Sequence, residues 1–163
     1  KDVPHTKLTD VRTWPFHEIP TGYYDFVWAS PPCREFSNAY GAPKSVAARE
    51  GIDYSPDLTL LRRAREIIEH LMPVYYIIEN VAGASKIFSQ ELGVNGPRQI
   101  IGPFYLWGVF PYIPIDWDFK HYKYQQDVWS SDPLRANKKG MIPIEMSEAV
   151  LHTLERQTRL TDW

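Results

Sequence analysis

The segment DFVWASPPCREFS, Asp25 to Ser37, holds Cys33, the only cysteine of the chain. It stands behind two prolines at the end of an apolar run. A second apolar run ends on Glu79, Asn80 and Val81. A thiol that has lost its proton is a strong nucleophile. A carboxylic acid beside it can protonate a ring nitrogen while the sulfur adds to that ring. The pair therefore suits covalent addition to an electron-poor heteroaromatic ring. Each residue also has a plainer use. A lone cysteine after a strand packs as a small hydrophobe. A glutamate at a strand end often caps a helix or faces water, and a double proline ends a strand.

Cys33 and Glu79 meet only if the elements before them are neighbours. YYDFVWAS (23–30) is apolar at nearly every position, which suits a strand covered on both faces of a parallel sheet. PDLTLLRRAREIIEHLM (56–72) predicts a helix. Leu60, Leu61, Ala64, Ile67, Ile68 and Leu71 make its apolar stripe, and Arg62–Glu66 and Arg65–Glu69 are i,i+4 pairs on its wet side. VYYIIENV (74–81) reads as a second buried strand. The strand, helix and second strand form a βαβ unit with parallel strands. Open α/β sheets place ligands at the C-terminal ends of such strands, which is where Cys33 and Glu79 fall.

The remaining segments are less regular. Residues 1–22 read as loop with a short strand near Leu8. Residues 31–56 read as a long loop, the kind that often serves as a lid. FYLWGVFPYIPI (104–115) predicts one or two strands broken by Gly108 and Pro111. Residues 116–140 interleave Lys120, Lys123, Arg135, Lys138 and Lys139 with Tyr122, Tyr124 and Trp129. That suits either a nucleic-acid surface or a solvated loop with aromatic anchors. PIEMSEAVLHTLERQ (143–157) predicts a last helix, with Met146, Ala149, Val150, Thr153 and Leu154 on one face and Pro143 in the first turn.

At 163 residues, 44% hydrophobic and 23% charged, the chain suits one globular domain. One cysteine excludes an internal disulfide and a CxxC metal site. No apolar run is long enough to cross a bilayer and no signal peptide is visible. The default location is intracellular, cytoplasmic in a prokaryote or phage-infected cell and nuclear in a eukaryote. The net charge of −2 leaves nucleic acid as a partner only through a local basic patch.

The motifs together resemble the C5-cytosine DNA methyltransferases. PPC followed by EFS is similar to their catalytic motif, and ENV after an apolar strand to their second signature. LTDVRTW (8–14) resembles the motif whose Asp reaches the adenine of S-adenosyl-L-methionine. GMIPIEMSEAV (140–150) resembles their last motif, a turn and helix that close the cofactor site. The resemblance covers roughly residues 8–83 and 140–155, in matching order.

It implies an α/β fold, the Rossmann-like S-adenosylmethionine-dependent methyltransferase fold lacking its first strands in this chain. Residues 1–163 would form one partial catalytic domain, with 116–140 as a reduced target-recognition segment. The implied activity is methyl transfer from S-adenosyl-L-methionine to C5 of a flipped cytosine in DNA. Cys33 would attack C6, Glu79 would hold or protonate N3, and Asn80 would orient the loop around Cys33. Asp10, Ser30, Pro31 and Met141 would line the cofactor site. Ser37, Lys44, Arg49 and Arg98 would contact DNA, the 38–56 loop closing over it. No metal and no membrane are implied.

The sequence departs from the family at several points. Its nine glycines form no GxG, so the Gly-rich cofactor loop is absent, as is the acidic residue for the ribose. Both would lie upstream of Lys1, which makes the chain the C-terminal part of a longer protein or a fold lacking half its cofactor pocket. An upstream segment or a second chain would then complete that pocket. Arg34 follows the cysteine where Gln is usual, and Arg98 substitutes for the basic QxRxR motif. Two other functions stay open: a catalytically incomplete relative that binds DNA or a partner, and a pyrimidine C5 methyltransferase acting on RNA or nucleotides.

Overall fold

The computed structural model describes residues 9–115 and 141–158. The chain forms two compact units, residues 1–109 and 110–163. The expected strand near Leu8, the basic and aromatic segment 116–140, and Gly140 lie outside the described residues.

The first unit is built on a four-stranded sheet of order β1-β2-β4-β3. The strands are β1 (Phe26–Ala29), β2 (Tyr75–Asn80), β3 (Gln99–Ile101) and β4 (Phe104–Val109). β1 and β2 are parallel, with Ala29 opposite Ile78. β4 runs antiparallel to β2, and β3 antiparallel to β4. The α/β class and the adjacent parallel pair match the sequence reading. The sheet is otherwise mixed.

The helices of this unit are α1 (Pro43–Glu50), α2 (Thr59–Leu71) and α3 (Ser85–Leu92). α2 is the crossover between β1 and β2. Leu61 and Ile68 from α2 and Phe88 from α3 pack with Phe36, Ile78 and Trp107 into the main core. Ile67 and Leu71 pack with Phe16 into a second cluster, which Val11, Trp14, Ile19 and Val27 flank. Arg63 staples the N-terminal segment onto α2, donating to the carbonyls of Val11 and Trp14 (both 3.1 Å) beneath the Phe16 ring.

Several expectations are corrected. β1 is four residues long and half-buried throughout, because among the described residues only β2 flanks it; Tyr23 and Tyr24 are exposed. The expected loop 31–56 contains α1, which Pro43 opens and Gly51 closes in the left-handed conformation. Its weak amphipathicity hid it. Arg62 bonds Glu91 on α3 at 2.7 Å and not Glu66, which pairs with Arg63; Arg65–Glu69 forms as expected. Gly108 does not break β4. A Cβ there would overlap the Tyr76 carbonyl oxygen, and φ is +135°, so glycine lets β4 lie flush against β2.

In the second unit α4 (Ile144–Thr158) buries Met146, Val150 and Thr153, the positions expected from periodicity. Thr153 returns its hydroxyl to the Ala149 carbonyl at 2.7 Å. Phe110 and Ile113 are also buried.

Candidate active site

Side chains alternate across a strand, and this sorts the ends of β1 and β2. Tyr76, Ile78, Val27 and Ala29 pack with the helical core, so Asn80 lies on that face. Ile77 and Glu79 point to the opposite face, as do Trp28 and Ser30. Ile77 is fully buried and Glu79 is only 9% exposed, with Leu106 as its cross-strand partner. Extending the register by one residue sets Ser30 level with Glu79. The Trp28 indole donates to the Ser30 hydroxyl at 2.7 Å.

Beyond Ser30 the chain leaves the sheet but stays tied to it. The Asn80 amide, 1% exposed, donates to the Pro31 carbonyl at 2.9 Å. Its oxygen accepts from Val81 N–H at 3.0 Å. One side chain thus holds both strand exits. Cys33 follows two residues after Pro31, and its thiol is exposed. The Cys33 carbonyl accepts from the N–H groups of Phe36 (3.0 Å) and Ser37 (2.9 Å), a tight turn that presents the thiol at its start. Phe36 anchors the turn in the core, edge-on to Phe88 at 4.9 Å.

Two further clamps hold this turn, and the sequence reading missed both. At Gly83, in the 3-10 turn Ala82–Ala84 after β2, a Cβ would overlap the Phe36 carbonyl oxygen and crowd Asn38. Only a residue without a side chain lets the two strand-exit loops touch. Across the loop, the Tyr54 hydroxyl donates to Glu35 at 2.5 Å. Burial, then this bond to a carboxylate, pushes the Tyr54 phenol up to about 12. The AGA that follows ENV was the available signal for Gly83; Tyr54 lies nineteen residues from Glu35 and had none.

The other sequence-predicted residues are dispersed. Ser37 accepts from Ala39 N–H at 3.1 Å within the turn. Lys44 on α1 donates to Asn38 Oδ1 (3.2 Å) and to the Gly83 carbonyl (3.1 Å), bridging the two loops. Arg49 stacks on the Tyr40 ring at 3.9 Å and donates to the Tyr40 carbonyl. Arg98 lines a different groove, of about 620 Å³, with Arg65, Tyr76 and Trp107 on the helical face of the sheet; it is not part of the Cys33 cluster. Asp10 receives Arg12 in a bidentate pair at 2.6–3.0 Å. That guanidinium and the Arg12 N–H hold the exposed carboxyl down to about 2. Met141 is exposed in the second unit.

Among the described residues no group of three or more His, Cys, Asp or Glu side chains could hold a metal ion. No helix there is long and apolar enough to cross a membrane.

Residues 1–91 match the family described as C-5 cytosine-specific DNA methylase. A protein of Frog virus 3 (isolate Goorha), named "Probable DNA (cytosine-5)-methyltransferase", is 38% identical over 78 residues. The match covers 44% of this chain and 36% of that protein, so the chain spans little more than a third of the relative's length. No solved structure matches the chain.

Proposed function

The chain belongs to the C-5 cytosine-specific DNA methylase family, and from that premise we propose that it carries the catalytic strand ends of an enzyme that methylates C5 of cytosine in DNA. The observation that carries this reading is the Asn80–Pro31 hydrogen bond. It ties β2, which carries Glu79, to the loop that leaves β1 and presents Cys33, at the neighbouring ends of two parallel strands.

In this reading the target cytosine leaves the base stack and enters the site. The Cys33 thiol gives its proton to solvent, and the sulfur forms a bond to C6 as the C5=C6 π pair shifts into the ring. Glu79 gives a proton to N3 as electron density moves from C6 into the ring, which leaves C5 nucleophilic. S-adenosyl-L-methionine, when bound, supplies the electrophilic methyl group that C5 takes. A solvent base then removes the C5 proton, and the Cys33–C6 bond breaks with its electron pair returning to sulfur. The N3 proton returns to Glu79. Asn80 takes no part in bond making and keeps the Cys33 loop in register. The burial of Glu79 keeps water from competing for N3.

The donor set fits one end of the cofactor. Asp10 would accept from an exocyclic amine once Arg12, which now donates to both of its oxygens, swings away, and Ser30 and Pro31 sit at the C-terminal edge of the parallel pair where such ligands bind. The methionine end needs a cradle of backbone N–H groups, and no Gly-x-Gly turn is present in this sequence. The Rossmann-like layout and the single partial catalytic domain belong to the same proposal.

The test is covalent trapping. A DNA duplex with fluorine at C5 of the target cytosine has no C5 proton to lose, so elimination fails and the adduct persists. Incubation of the intact protein with this duplex and cofactor should give a stable conjugate whose peptide map places DNA on Cys33. Trapping that survives Cys33→Ser, or methylation without an adduct, overturns the assignment.

A further inference from the structure

Where α3 begins, beside the loop that enters α1, lies an open groove of about 600 Å³. Its walls carry Lys44, Lys86, Asn38, Ser85, Gln90 and Asn95, and no carboxylate lines it. The charge is not cancelled by neighbours. Lys44 Nζ is held by two neutral acceptors, Asn38 Oδ1 and the Gly83 carbonyl, and an ammonium has a third N–H to offer. Lys86 is exposed, and among the described residues neither lysine forms an ion pair. Lys86 and Gln90 are one turn apart on α3 and share a face. The groove therefore offers a line of cationic and neutral donors, not a closed pocket for a small anion.

Its position matters as much as its charge. Gly83, in its wall, abuts the Phe36 carbonyl. Phe36 is three residues from Cys33, at most about 10 Å of chain. We propose that this groove binds the phosphates of the DNA strand flanking the target nucleotide, with Lys44 and Lys86 as its cations and Ser85, Gln90 and Asn95 as neutral donors. The proposal rests on the DNA reading above and adds to it a backbone-holding surface after the ENV strand. A lysine prearranged by neutral acceptors costs little to order when the phosphate arrives. Contacts to phosphate carry no sequence information, so this surface fixes the register of the duplex.

The experiment measures binding of the intact protein to a fluorescent DNA duplex over a range of salt concentrations. Lys86→Gln should lower the slope of log affinity against log salt by about 1. It should weaken binding about threefold to tenfold, equally for duplexes of different sequence. Lys86→Glu should weaken it further. Gln90→Glu, which keeps both lysines but adds a negative charge to the groove, should reproduce much of the loss, whereas Arg65→Gln on the other groove should not. An unchanged slope in both Lys86 variants overturns the proposal. A loss seen with an RNA duplex but not with DNA overturns the assignment to DNA. Fluorocytosine trapping through Cys33, run on the same variants with saturating duplex, separates the two readings. Trapping with an unchanged slope sinks the groove alone; a reduced slope without trapping sinks the enzyme reading and leaves the groove standing.

Discussion

The Asn80 side-chain amide donates to the Pro31 carbonyl over 2.9 Å while its oxygen accepts from Val81 N–H. A single buried side chain thus sets the spacing between the ends of two parallel strands. Asn80→Ala removes both bonds and leaves the Pro31 carbonyl and Val81 N–H without these partners. Both groups are part-buried, so each costs toward the lower end of the roughly 1–3 kcal/mol for an unsatisfied buried group. Asn80→Asp keeps an acceptor for Val81 N–H but turns an oxygen toward the Pro31 carbonyl. Both variants should slow adduct formation at Cys33 on the order of 10²-fold, since a displacement of about 1 Å at a reacting group costs that much. Single-turnover trapping beside thermal melting checks this. Aspartate, which buries a carboxylate against a carbonyl oxygen, should lose at least as much stability as alanine and recover no more activity.

Gly83 and Phe36 make the second contact between the strand exits. Gly83→Ala drives a Cβ into the Phe36 carbonyl oxygen, a backbone atom that cannot rotate away. Overpacking of this kind costs about 1–3 kcal/mol. The Cys33 turn must shift, because the Cys33 carbonyl is bonded to Phe36 N–H. Trapping should therefore fall more steeply than the melting temperature. A variant that loses stability but traps at the normal rate would show that the turn moves as a unit without displacing the thiol.

Tyr54 and Glu35 close the loop that contains α1. The phenol is raised to about 12, by burial first and by its bond to Glu35 second. A folded-state value above the unfolded value of about 10 contributes stability that is complete below pH 10. That contribution is lost as pH rises through 12. The difference between absorbance titrations of the parent and of Tyr54→Phe should show the late ionisation of Tyr54. The same substitution should open residues 35–54 to hydrogen exchange at neutral pH while the β2 amides stay protected.

Much of this was legible in the sequence for a physical reason. β1 and β2 stand out as near-continuous apolar runs, the α2 stripe follows the helical period, and the helix length fits the span between parallel strands. The ends of those strands then place Cys33, Glu79 and Asn80. α1 escaped because Ala, Arg, Lys and Glu on a lightly packed helix leave no strong apolar stripe. The partner choices of Arg62 and Lys44 escaped too. Arg62 pairs with Glu91 on another helix, and Lys44 reaches a backbone carbonyl 39 positions away. Long-range polar contacts leave no spacing to read. Gly108 looked like a breaker because glycine weakens strands in general, and only the Tyr76 backbone beside it explains its place in β4.

Met72 ends α2 in the left-handed conformation, with φ of 47°, and it is the one non-glycine residue with positive φ among those described. Its side chain is 67% exposed, so little packing opposes a change. Left-handed backbone disfavours a residue with a Cβ, and helices commonly close on glycine at this position. Met72→Gly should raise stability by about 0.5–1 kcal/mol, after the greater entropy of glycine in the unfolded chain is subtracted. Denaturant midpoints read this directly. Met72 lies before β2 begins, at the far end of that strand from Asn80, so trapping at Cys33 should not change.

Glu79 gives the sharpest division between geometry and proton transfer. Glu79→Gln keeps the shape of the side chain and its place beside Leu106. It removes the acid that the proposed reaction needs at N3. Adduct formation should fall on the order of 10²–10⁴-fold, the range for a positioned acid. DNA affinity at a fixed salt concentration should stay within about threefold, because uniform binding makes no use of the proton. A substrate with C–H in place of N3 has no ring nitrogen to take the proton, so on it the Gln variant and the parent should react at similar, low rates. Equal sensitivity of both substrates to the substitution would mean that Glu79 supports the site only by packing. A loss of DNA affinity matching the loss of rate would place it in binding, not in chemistry.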